Sequence, residues 1–217
     1  MTFFLAMTVF PEIQKTASKE LNRVIGNSRL PVAADREKLP YIEAIMKETH
    51  RWHLVLPMCL PHSSTEEDTC RGYRIPKGAI LLPNNWHFTH DPAVYPDPMT
   101  FRPERHLDTP THAAEPDPRK FIFGYGRRIC PGRYVADNAL FITIAQSLAV
   151  FDIKKKVMDG KVVEPEVKFE PGAISHPMPY QCEIEPKSKA HEELILAAQK
   201  EYPLEESDAK ELEKIKW

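Results

Sequence analysis

The chain has 217 residues, enough for one sizeable core, and its 29 Lys+Arg against 31 Asp+Glu leave a formal net charge of −2. That balance offers no electrostatic footprint for nucleic acid or for an anionic membrane. Cys59, Cys70, Cys130 and Cys182 stand far apart with no C-x-x-C pair, which argues for reduced thiols against a disulfide framework or a zinc ribbon.

In chain order, Met1 to Phe10 is apolar but only about half as long as the ~20 residues that span a bilayer. It has neither the basic start nor the small-residue cleavage site of a signal peptide, so it reads as a core helix. A helix begins at Pro11, with Ile13, Ala17, Leu21 and Val24 on one face and Gln14, Lys15, Lys19, Glu20 and Arg23 outside. Gly26 and Asn27 end it. After a polar connection from Leu30 to Lys38, a second helix is predicted from Leu39 or Pro40 to Leu54, with Ile42, Ile45, Met46, Thr49 and His53 at helical spacing. Glu48 and Arg51 lie three apart on that helix. Taken alone they are a solvated surface pair worth about a few tenths of a kcal/mol.

Residues 61–83 read as strands and turns, with a hairpin predicted over Arg71 to Gly78 and its turn at Pro76-Lys77-Gly78. His62 by itself is an ordinary loop histidine. Asn84 to His90 is predicted as a short helix, and the prolines that follow force an irregular path. His87 and His90 are three apart, but no further ligand accompanies them and they do not read as a metal site. His106 to Lys120 is a polar loop punctuated by prolines.

That loop feeds the stretch Phe121-Ile-Phe-Gly-Tyr-Gly-Arg-Arg-Ile-Cys-Pro-Gly-Arg133. Gly124 and Gly126 let the backbone take positive φ and approach something bulky and flat. A long, mostly apolar helix is predicted from Pro131 to Phe151. With Pro131 at the first helical position, Cys130 is expected at or beside the N-cap, where free N–H groups and the helix dipole favour a thiolate. Such a sulfur suits a soft or borderline metal, haem iron included. A buried cysteine acting as a small hydrophobe would explain Cys130 alone, but not the glycine and arginine spacing around it. Beyond the helix, Ile153 to Ile184 alternates in short β-like pieces with a hairpin tip at Gly172 to Ser175. A charge-rich tail follows from Lys187, with Leu194, Ala197 and Ala198 forming the modest apolar stripe of a peripheral helix.

Phe123, Gly126, Arg128, Cys130 and Gly132 match F-x-x-G-x-R-x-C-x-G, and here the chain resembles the cytochrome P450 family of haem-thiolate monooxygenases. Five fixed positions would coincide by chance with a probability on the order of 10⁻⁴ or less. The resemblance implies a mainly α fold with small antiparallel β-sheets (α+β), the C-terminal portion of the P450 fold, truncated. Residues 1–186 would be that part of the haem domain and 187–217 a charged, partly helical tail. It implies haem b (iron protoporphyrin IX), with Cys130 as the axial iron ligand and His62, Phe123, Gly124, Arg128 and Gly132 around the cofactor. Glu48, Arg51 and Arg105, the last from Phe101-Arg-Pro-Glu-Arg105, would form a buried cluster behind it. His106 stands where the family more often has an aromatic.

Leu54, Val55, Leu56 and Met58, with Ile174 at the hairpin tip, would line a pocket for an apolar small molecule, although plain core packing explains any one of them. The further partners implied are dioxygen and an NADPH-dependent reductase, at the endoplasmic reticulum membrane for the parent protein, and nucleic acid is not among them. The family's oxygen-activating acid–alcohol pair would fall upstream of Met1, so no catalytic proton-relay residue is assigned here. A fragment with impaired activity is therefore expected. The rival expectation, of a different class, is a non-catalytic remnant or interaction module that binds haem weakly or not at all.

Overall fold

A computed structural model describes residues 1–203. Helix α1 (Thr2–Val9) is apolar nearly all round and accordingly buried, with Leu5, Ala6 and Met7 inside. Phe10 breaks it, and Pro11 opens α2 (Pro11–Val24) from the first-turn position that tolerates a missing N–H. The Ile13, Ala17 and Leu21 stripe packs inward as its spacing predicts. Gly26, at φ +73°, closes α2 by donating its N–H back to the Leu21 carbonyl. A 3₁₀ turn over Ala33–Lys38, where only a connection was predicted, leads into α3 (Pro40–Trp52).

Two polar residues of α2 depart from the predicted solvent face. The Gln14 amide reaches across to β5 (Phe151–Lys155), where its Nε2 donates to the Ile153 carbonyl at 2.8 Å and its Oε1 accepts from the Ile153 N–H at 2.8 Å. Glu20 accepts from the Tyr41 N–H at 3.0 Å and the Ile42 N–H at 3.1 Å, and so caps the start of α3. Both satisfy backbone groups that would otherwise be buried unpaired.

The sheets are small and all antiparallel. Strand β1 (His62–Ser63) pairs with β4 (Ile80–Leu81), and β2 (Asp68–Cys70) pairs with β3 (Tyr73–Ile75). The hairpin turn is therefore Arg71-Gly72, at φ +50° and +83°, and not Pro76-Lys77-Gly78. Two successive positive φ values make the tight turn whose twist matches the flanking strands. The Pro76 turn instead carries the chain from β3 to β4. The short helix α4 (Asn85–His90) is capped by the Asn84 side chain, which accepts from the His87 N–H at 3.0 Å.

After α5 (Arg119–Ile122) and the cysteine loop comes α6 (Arg133–Val150), whose Phe141, Ile144, Ala145 and Leu148 complete one core with α1, α2 and α3. The first turns of α6 are bare, with Val135 75% exposed, so the apolar sequence there is not core. β5 pairs with β8 (Cys182–Pro186), and β6 (Val157–Met158) with β7 (Lys161–Val162). Helix α7 (Lys189–Glu201) lies against α6 and β8 through half-buried Leu194 and Ala198, whereas Ala197 is exposed. The rest of the predicted tail, from residue 204 on, lies outside the described residues. No described helix is long and apolar enough to cross a membrane.

Candidate functional site

Helix α3 supplies the base of the site. Glu48 and Arg51 are fully buried and paired side-on, Nε and Nη2 of Arg51 each lying 2.8 Å from a Glu48 oxygen. Arg105 joins with Nε 3.1 Å from Glu48 Oε1, and the Arg102 N–H donates to the same oxygen at 2.8 Å. The cluster is larger than Glu48, Arg51 and Arg105. His106 Nε2 sits 2.9 Å from Glu48 Oε2, and Glu115 takes Arg105 Nη1 at 2.7 Å, which brings two carboxylates against two guanidiniums. Burial pushes the Glu48 carboxyl up, but hydrogen bonds from His106 and Arg51 outweigh it and hold the group down at about 2. His106 thus takes a polar place in the cluster, at the position where the family more often has an aromatic.

The cysteine loop runs from α5 to α6, and an ion pair ties its entrance to its exit. Arg119 Nη1 lies 2.8 Å from Asp137 and 3.0 Å from Glu43 of α3, and Arg36 reaches the same two carboxylates at 2.6 and 2.9 Å. Within the loop the Cys130 N–H donates to the Phe123 carbonyl at 2.8 Å, folding the chain back on itself. Gly124 holds φ +81° at that bend, and a Cβ there would meet the Arg128 carbonyl oxygen at 3.7 Å. Phe123 is set edge-on against His50 of α3, ring centres 5.7 Å apart. The Tyr125 hydroxyl donates to Asn85 Oδ1 of α4 at 2.6 Å.

Cys130 is not at or beside the N-cap of α6. The cap is Gly132, and Pro131-Gly132 form a turn closed by the Arg133 N–H on the Cys130 carbonyl at 3.4 Å. Proline fits the second position of such a turn as well as it fits the first turn of a helix, and here the turn prevails. A Cβ on Gly132 would lie 3.9 Å from Sγ, in contact with it.

In front of the loop is a cavity of about 850 Å³, within the size range of small-molecule and cofactor sites. Phe123, Gly124, Arg128 and Cys130 line it from the loop, and Leu54, Val55 and Leu56 from the stretch after α3, with His62 on β1. Sequence reasoning missed Arg127, Cys59, His50 and His53, which line it too. Gly132, Met58 and Ile174 do not, and Ile174 is 58% exposed. Burial lowers the pKa of His50 and His53 to about 4, so both are neutral at pH 7.

No aspartate or glutamate lines the cavity among the described residues. A half-buried thiol, apolar walls, two guanidiniums and His62 make a donor set that fits an iron porphyrin: sulfur for the metal, hydrocarbon for the ring, cations and N–H donors for the two carboxylates.

Fold and loop together define a cradle that presents the Cys130 sulfur to the cavity, with a buried Glu–Arg cluster on the same helix that supplies its base. The Cytochrome P450 family profile matches residues 1–184, and the chain belongs to that family. It is 54% identical over 196 residues to "Cytochrome P450 monooxygenase 208" of Postia placenta, covering 90% of this chain and 38% of that protein. It is 50% identical over 211 residues to "Cytochrome P450 monooxygenase claR" of Ampulloclitocybe clavipes, covering 97% and 39%. With "O-methylsterigmatocystin oxidoreductase" of Aspergillus flavus the identity is 45% over 214 residues, covering 99% and 40%. The chain therefore spans about two fifths of the length of the curated relatives it matches.

Proposed function

We propose that this chain forms the thiolate side of a haem b monooxygenase, an oxidoreductase that inserts one atom of dioxygen into an apolar small molecule. The observation that carries the reading is Cys130, held by a doubly anchored loop at the wall of an acid-free cavity. Cys130 Sγ would ligate the iron, and Arg128 and His62 would hold the haem carboxylates. When bound, the haem supplies the oxygen-activating redox chemistry, which thiolate ligation favours.

The chain's own residues do the rest. Backbone N–H groups of the glycine-rich loop would temper the charge on the sulfur, and the Arg119–Asp137 pair keeps the loop from drifting. Leu54, Val55 and Leu56 would present an apolar wall to the substrate. Electrons would come from an NADPH-dependent reductase, and the parent protein would reside at the endoplasmic reticulum membrane. The names of the relatives support the reaction class and leave the substrate of this chain to experiment.

One observation favours a second reading for the 217 residues on their own. With no carboxylic acid lining the cavity among the described residues, none is positioned to hand a proton to the reacting oxygen. These residues alone would then be a non-catalytic remnant or interaction module that binds haem weakly or not at all. Haem reconstitution followed by a reduced, carbon-monoxide difference spectrum tests the cofactor. The shifted Soret band of thiolate ligation is expected in the parent and in Cys59→Ser, and is expected to vanish in Cys130→Ala. A parent without that band, or a band lost with Cys59→Ser instead, sinks the assignment. Turnover of an apolar substrate with added reductase separates the two readings.

A further inference from the structure

The cavity wall formed by Leu54, Val55 and Leu56 has no regular structure of its own, so something else must hold it. The hairpin that bridges Phe169 to Pro177 does so. Its Ser175 N–H donates to the Val55 carbonyl at 2.8 Å, and its Ser175 Oγ lies 2.8 Å from His53 Nε2. The protons in this contact can be assigned. Ser175 Oγ is also 2.7 Å from the Glu170 carbonyl, which can only accept, so the single hydroxyl proton of Ser175 goes there. His53 Nε2 must therefore carry the proton that passes to Ser175 Oγ, which fixes the tautomer. The same imidazole lies flat on Phe169, ring centres 3.3 Å apart, and His53 and Ser175 are 7% and 5% exposed.

We propose that His53 is a positioning residue that latches the 169–177 hairpin onto the Leu54–Leu56 wall, and thereby sets the girth of the apolar ligand the cavity admits. The ligand part rests on the haem-cavity reading above, whereas the latch does not.

His53→Phe keeps a ring against Phe169 and removes the donor. Ser175→Ala removes the acceptor and keeps the backbone bond to Val55. Hydrogen exchange at the residue 175 amide, which needs no cofactor, is expected to quicken on the order of tenfold in either variant, and no further in the double variant. Amides inside α3, such as those of Ile45 and Met46, should keep the parent rate. On haem-loaded protein Ser175→Ala, which lies outside the cavity lining, should retain the thiolate Soret band, while the ratio of dissociation constants for pyrene and n-octane shifts several-fold toward the bulkier probe. Unchanged exchange in both variants overturns the latch, and quickened exchange with an unmoved probe ratio overturns its role in selectivity. Loss of the Soret band from the parent would overturn the haem reading and leave the latch standing.

Discussion

Glu48 accepts hydrogen bonds from two arginine side chains, a backbone N–H and His106 while itself fully buried. Replacing it with Gln leaves Arg51 and Arg105 buried with one carboxylate between them, and the loss of a partner from a buried ion pair costs about 3–5 kcal/mol. Glu48→Gln should therefore lower the urea midpoint sharply with little change in m-value. At the same scale, Gly124→Ala forces a Cβ into φ +81°, a conformation that costs a non-glycine residue about 1–2 kcal/mol. It is expected to weaken haem retention before it unfolds the protein, as read by haem transfer to an acceptor apoprotein. The Glu48, Arg51 and Arg105 triad was legible only through the family resemblance, since Glu48 and Arg51 taken alone read as a solvated surface pair. Glu115 and His106 were not, since nothing in their own neighbourhoods marks them as buried. Charge balance was the available signal: two buried guanidiniums require more than one anion.

Elements expose the limit of periodicity. The spacing of Ile13, Ala17 and Leu21 found the inner face of α2, but it sorted Gln14 and Glu20 to water because they are polar. Periodicity registers side-chain hydropathy and is blind to unpaired backbone groups on a neighbouring element. Glu20→Ala strips α3 of its cap and should cost about 1–2 kcal/mol, measurable as a lowered melting temperature.

The ends of α3 and α4 add a pH dependence. Burial lowers His50, His53 and His90 to about 4, against an ordinary value of 6.5. As pH falls below 6.5 the unfolded chain takes up protons that the native chain refuses until about 4. Stability should therefore be level above 6.5 and decline from there down to 4. Glu48, lowered from 4.5 to about 2, then extends the decline from 4.5 downward. Urea titrations at pH 7.5, 5.5 and 4.5 should show the first decline, and it should be shallower in His53→Phe.

For the molecule as a whole, the long-range hydrogen bonds matter more than their number suggests. Gln14→Leu would leave both the N–H and the carbonyl of Ile153 buried without a partner, at about 1–3 kcal/mol for each group. Loosening of β5 would appear as faster hydrogen exchange along its pairing with β8. The individual helices were legible because they declare themselves locally, whereas the fold class came from the family resemblance of the cysteine loop. The strand partners were legible only in part, since β1 and β4 offer two residues each and no alternation to read.

The bond between Gln14 and Ile153 joins residues 139 positions apart. At about 5–20 residues per second, a ribosome needs roughly 7–28 s to deliver the second partner after the first. Throughout that interval the oily stripe of α2 has no β5 and no α6 to lie against. A nascent chain with such a stripe uncovered is expected to lean on holding chaperones, and their depletion should reduce the yield of soluble product.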